Sequence, residues 1–184
     1  MNPGLHRLLL GTLLGAAAAP APAAGADGAP PTRCDAAGHR EFDFWIGHWT
    51  VADAQGRLVG ENLITAASDG CSLFESWRGR GGVQGNSINR WDPARRRWRQ
   101  VWVDNQGGDL ELSGGRVGGA MVLEGVDSHP APATKPARQR ITWTPLADGS
   151  VRQLWERSDD DGVSWAPVFD GRYVRRGAGE ATRR

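Results

Sequence analysis

The stretch Trp98-Arg99-Gln100-Val101-Trp102-Val103-Asp104-Asn105 constrains this chain more than any other. Successive side chains of an extended strand point to opposite faces. Trp98, Gln100, Trp102 and Asp104 therefore share one face, and Arg99, Val101, Val103 and Asn105 the other. Segments of similar length recur at 49–53, 62–67, 72–78, 84–91, 110–113, 120–126, 140–145, 151–157 and 168–175. Turn signals separate them: Gly56 and Gly60, Asp69-Gly70, the glycines of 79–82, Asp92-Pro93, Gly107-Gly108, Gly114-Gly115, Gly118-Gly119 and Asp148-Gly149. About ten short, evenly spaced antiparallel strands predict an all-β protein, a sandwich or a closed barrel. No repeat of propeller length is present.

The strands start from an aromatic segment. Phe42, Phe44, Trp45 and Trp49 lie close together, broken only by Gly47, and run into a β-branched strand. Asp35 is placed to N-cap a short helix reaching about Phe44, with Glu41 in its body and Gly47 releasing the chain. Ahead of it, residues 8–19 are an apolar run preceded by His6 and Arg7, with A-x-A sites ending at Ala23 and Ala26. That is a secretory signal pattern, and the run is shorter than the roughly 20 residues of a spanning helix. The expected organisation is a signal peptide over 1–26, a flexible segment over 27–40, the β domain over 41–176 and a disordered tail over 177–184. The expected location is periplasmic or secreted. The long connection 127–139 has three prolines and reads as a loose excursion, or as an ordered lid over one end.

Removing Arg7 with the signal leaves 21 of the 22 basic residues against 21 acidic ones. Global attraction to nucleic acid or to an anionic membrane is not supported by a balance of zero. Arg95-Arg96-Arg97 reads as a solvated hairpin tip. Cys34 and Cys71 are an even pair in an exported chain, and a disulfide is the simplest reading.

Nine tryptophans stand against one tyrosine and four phenylalanines. Each combines a large apolar face with one N–H donor, which suits half-wet pockets. Alternation pairs them with polar groups on several strands: Leu73, Glu75 and Trp77; Ser87, Asn89 and Trp91; Gln100, Trp102 and Asp104; Val151, Gln153 and Trp155. Trp143 sits with Ile141. If these rows face inward, the lumen has aromatic walls and fixed polar groups, the composition of a small-molecule site. The alternative is that the tryptophans merely fill the barrel and the polar groups face outward, and alternation alone does not choose. The candidate ligand-binding residues are thus Glu75, Trp77, Asn89, Gln100, Trp102, Asp104, Trp143, Gln153 and Trp155. Glu75 with Asp104 would be the acid/base pair of an enzyme built on the same barrel.

The run from Ser158 to Trp165 fits S-x-D-x-G-x-[ST]-W, a self-contained hairpin turn in which Asp160 bonds the backbone and Trp165 packs beneath. Nothing matches a nucleophile elbow, a zinc-protease helix or a CxxC motif. No metal or other cofactor is implied.

Residues 42–49 and 70–77 carry F-D-F-W-x-G-x-W and G-C-x-L-x-E-x-W. Together with the short helix and the G-x-W entry to the first strand, they resemble the calycin superfamily of lipocalins, fatty-acid-binding proteins and nitrobindin-like barrels. More narrowly, they are similar to exported bacterial proteins sharing both motifs. The resemblance implies an up-and-down antiparallel barrel with an internal cavity, plugged at one end by the short helix, Trp45 and Trp49. It also implies an arginine of the last strand across the Trp49 ring, Arg172 or Arg175, with Arg172 the first candidate. Nitrobindin-like barrels hold haem through a late histidine. Here nothing follows His129, and His48 would face away from Trp49, so haem is not expected. The leading expectation is an exported protein that binds a small amphipathic or aromatic molecule. A barrel enzyme and an envelope assembly protein are the alternatives.

Overall fold

A computed structural model describes Met1 and residues 34–127 and 136–177. The signal-peptide expectation, most of the 127–139 connection with His129, and the tail beyond 177 lie outside the described residues.

The first described segment holds two short 3-10 turns, Ala37–Arg40 and Asp43–Trp45. This departs from the single helix capped by Asp35. The residue preceding the first turn is Ala36, with no side-chain cap, and Glu41 ends that turn. Tertiary demands break the helix. Gly38 presents its carbonyl to the indole N–H of Trp98 at 3.0 Å, and a Cβ there would stand 2.4 Å from Trp91. Cys34 is meanwhile tied to Cys71 by a disulfide.

Ten antiparallel strands follow: β1 (Gly47–Asp53), β2 (Leu58–Ala67), β3 (Ser72–Gly79), β4 (Gln84–Asp92), β5 (Arg97–Asp104), β6 (Asp109–Val117), β7 (Ala120–Asp127), β8 (Arg138–Pro145), β9 (Val151–Ser158) and β10 (Ala166–Arg175). Each pairs with the next, and β10 returns to β1 with Trp49 opposite Arg175, closing an up-and-down barrel. Closure removes both sheet edges. The closed ten-strand barrel is consistent with a calycin-like fold.

One turn expected from the glycines is not a turn. β6 runs straight through Gly114-Gly115, and the chain reverses at Gly118-Gly119, both with positive φ. Gly114 meets the backbone of β7 instead: a Cβ there would lie 2.1 Å from the carbonyl oxygen of Val122. That glycine serves close strand approach rather than reversal.

Closure gives the alternating pattern an inside. Trp49, Val51, Ile64, Leu73, Trp98, Leu112, Met121, Leu123 and Tyr173 are buried there. The outward positions of the same strands, among them Phe74, Ile88, Val101 and Val103, are exposed. Phe42 and Trp45 join the interior cluster. Phe42 stacks on Trp45 at 4.9 Å between ring centroids and meets Trp98 and Trp143 edge-on at 5.5 and 5.1 Å. Trp45 lies 5.2 Å from Trp143. No helix among the described residues is long and apolar enough to cross a membrane.

The cation over Trp49 is Arg175, not Arg172. Arg175 stands directly opposite Trp49 in register, its guanidinium is 4.3 Å from the ring centroid, and it donates to the Ile46 carbonyl at 2.9 Å. Arg172, three positions earlier on an alternating strand, points outward and pairs with Asp148 and Ser150.

Candidate functional site

Beside the aromatic cluster the barrel holds a half-open cavity of about 260 Å³. Trp143 joins the two, lining the cavity while packing against Phe42 and Trp45. The lining rises from buried Glu75, Gln100, Gln153 and Tyr173 to Val83, Asp104 and half-exposed Val168. Of the residues named from the sequence, Glu75, Trp77, Gln100, Trp102, Asp104, Trp143, Gln153 and Trp155 all border this space. Asn89 does not. It is fully buried behind the wall and acts through its hydrogen bonds.

The space exists because large rings fold back over glycines. A Cβ on Gly60 would lie 2.5 Å from Trp77, one on Gly85 would lie 2.2 Å from Trp102, and one on Gly171 would lie 2.5 Å from Phe169. Each aromatic covers a bare stretch of backbone, an arrangement that also compensates glycine's poor strand packing. Trp77 and Phe169 meet edge to face at 6.2 Å. The walls are thus aromatic while the lumen stays open.

Two hydrogen-bond systems fix the polar groups. In the first, Gln100 donates to Asn89 Oδ1 at 2.9 Å, and Asn89 donates to Ser87 Oγ at 2.8 Å. Ser87 donates to Glu75 Oε2 at 2.6 Å, while Asn62 donates to Oε1 at 2.7 Å. Every donor points toward one carboxylate, so the dipoles reinforce each other. In the second, Gln153 Oε1 accepts from Trp143 Nε1 at 3.1 Å and from the Tyr173 hydroxyl. Trp155 donates to Gln139 at 2.6 Å.

Glu75 is 5% exposed. Burial raises its carboxyl to about 6, against the pull of the Ser87 and Asn62 bonds. Loss of water outweighs two good hydrogen bonds because no cation among the described residues stands beside the carboxylate. Tyr173 is pushed well above its ordinary value by burial and by Glu75. Asp104 behaves oppositely. Burial acts to raise it, but the backbone N–H groups of Gly108 and Gln106 and the Trp102 indole together hold it below the usual carboxylate range. Its Oδ1 accepts both turn amides at 2.9 Å, so Asp104 caps the turn at the rim.

Asn62, Tyr173 and Phe169 are site residues that the tryptophan rows do not single out. Period-2 counting suffices to find Tyr173, which is four residues along the strand from Phe169 and two from Arg175. In sequence, the arginines of that strand draw attention away from it. The Asp160 turn is self-contained: Asp160 Oδ1 accepts the Ser164 N–H at 2.8 Å, Gly162 N donates to Ser158 Oγ at 2.7 Å, and Trp165 donates to the Gly162 carbonyl at 3.1 Å. Arg140 lies 4.0 Å over the Trp165 ring. No cluster of metal-ligating side chains occurs among the described residues.

No protein-family model matches the chain, and no curated protein matches it significantly.

Proposed function

We propose that this protein is an exported, calycin-like carrier that holds a small amphipathic or aromatic molecule inside its barrel. The observation that carries the reading is the cavity itself, open in the interior, walled by tryptophans and floored by preoriented polar groups. Ligand pockets typically combine apolar lining with a few placed polar groups. At about 260 Å³ the space suits a single ring bearing a short polar arm. In this reading the turns at Ala37–Arg40 and Asp43–Trp45 plug one end, and ligand enters past Val168 at the other. The Cys34–Cys71 disulfide supports an oxidising compartment such as the periplasm or the exterior.

The test is titration with a panel of small aromatic compounds, read by tryptophan emission. Quenching or a spectral shift that weakens severalfold in Trp102→Ala supports the reading. A panel that leaves emission unchanged, with no heat detected by calorimetry, removes it.

A second reading has one observation in its favour. Glu75 is a cavity carboxyl raised to about 6, poised as a general acid or base. In that case Glu75→Gln abolishes turnover of a bound compound while leaving its binding measurable.

A further inference from the structure

The charge of the cavity is one-sided. Among the described residues its lining holds two carboxylates, Glu75 and Asp104, and no lysine, arginine or histidine. The groups facing Glu75 from neighbouring strands are Asn62 on β2, Ser87 on β4, Gln100 and Asp104 on β5, Gln153 on β9 and Tyr173 on β10. None of them is cationic. The arginines of β8 to β10 are engaged elsewhere: Arg140 with Glu156, Arg152 with Asp170, and Arg175 over Trp49. A carboxylate buried without a counter-ion is costly, and natural structures pair such a group with a cation or a metal. Glu75 also keeps acceptor capacity, since a carboxylate offers about four lone-pair sites and Asn62 and Ser87 fill two. The walls fit the same chemistry. Tryptophan faces attract cations through their quadrupole, most strongly where water is excluded. Negative potential is focused in a low-dielectric cleft of one sign.

We infer that the missing counter-ion is the ligand: the cavity is built for a small organic cation, a protonated alkylamine bearing an aromatic ring, with its ammonium on Glu75 and its ring among Trp77, Trp102 and Phe169. This rests on the carrier reading above and narrows it to one ligand class. Asp104 at the rim contributes attraction at entry, whereas Glu75 makes the contact. An anionic ligand would meet two carboxylates with nothing to offset them. A neutral ligand would leave Glu75 uncompensated.

The test uses three compounds of one shape and different charge, 2-phenylethylamine, 2-phenylethanol and phenylacetate, measured by calorimetry between pH 5 and pH 8. The amine remains protonated throughout, as an alkylammonium does below about pH 9. Glu75, at about 6, passes from mostly protonated to mostly ionised in this interval. Asp104 lies below the interval and does not change. The amine is therefore expected to bind about ten-fold more tightly at pH 8 than at pH 5, and at pH 8 about ten-fold or more tighter than the alcohol. In Glu75→Gln both differences collapse. The wild-type profile stands alone if that variant does not fold. Alcohol or phenylacetate binding as tightly as the amine at pH 8 overturns the cation inference and leaves the carrier reading intact. An amine affinity that is flat with pH overturns it equally. Failure of all three compounds to bind overturns the cation inference, and the carrier reading falls with it only where the wider aromatic panel also fails to bind.

Discussion

Trp102 lies against Gly85 so closely that a Cβ on the glycine would stand 2.2 Å from the indole Cζ2. Gly85 sits on β4 between Trp77 on β3 and Asp104 on β5, and its φ is one that any residue adopts in a strand. The absence of a side chain there is therefore about space. Gly85→Ala would displace the Trp102 ring, and the open direction is the lumen. The expected outcome is a barrel that still folds but binds small aromatic probes at least about ten-fold more weakly, its cavity partly filled by Trp102. Calorimetric titration alongside a circular dichroism spectrum checks both halves.

The two arginines of β10 give a matched pair. Arg175 covers Trp49 and bonds the Ile46 carbonyl, tying the last strand to the aromatic segment that precedes β1. A cation–π contact of this kind is worth roughly 0.5–2 kcal/mol. Arg172 makes an exposed pair with Asp148, of the sort that contributes little. Arg175→Ala should lower the denaturant midpoint distinctly, whereas Arg172→Ala should barely move it. Equal effects would mean that the contact over Trp49 is not special.

The Cys34–Cys71 disulfide ties Cys34 to the β2–β3 turn across a sequence separation of 37. Closing a loop of that length removes unfolded-state entropy worth about 4 kcal/mol in the chain-entropy model, with engineered bonds often giving less. Cys34→Ser with Cys71→Ser should thus lower unfolding free energy by roughly 2–4 kcal/mol. Urea unfolding with and without reductant measures it. Wild type should fall to the double variant under reductant, and the variant should be indifferent to it.

The strands are legible in the sequence because their signals are local. Asp69-Gly70, Asp148-Gly149 and the alternation of residues 98–105 each mark strand or turn without knowledge of the partner. The two faces are not legible. Period-2 alternation places Glu75 with Trp77, but it is symmetric between inside and outside, and only closure through Trp49 and Arg175 breaks the symmetry. Gly114-Gly115 misleads for a related reason, since glycine for reversal and glycine for close approach look alike in sequence. The choice between Arg172 and Arg175 turns on register, which depends on the β1–β10 pairing across most of the chain. Asn62, behind Glu75, shows the same limit: its role comes from a neighbour 13 residues away.

Glu75 also predicts how stability follows pH. Its carboxyl rises on folding from 4.5 to about 6. Between those values the native protein binds more protons than the unfolded chain, so unfolding free energy falls as pH rises through that window. The contribution is fully present below about 4.5 and lost by about pH 6.5. It is worth roughly 2 kcal/mol, since a rise of one pH unit in a carboxyl's titration point corresponds to about 1.36 kcal/mol. The lowered carboxylates act with the opposite sign and in a separate window. Asp160, held to about 2 by Ser164 and Ser158, supports the fold above its ordinary 3.8 and ceases to do so as pH falls toward 2. Glu75→Gln should therefore show a smaller loss of stability than wild type between pH 4.5 and 6.5, while below pH 4 the two should run parallel. The difference between their unfolding free energies, measured in urea across pH 3 to 8, isolates Glu75. A difference that stays constant over the whole range would show that burial does not hold the proton on this carboxyl.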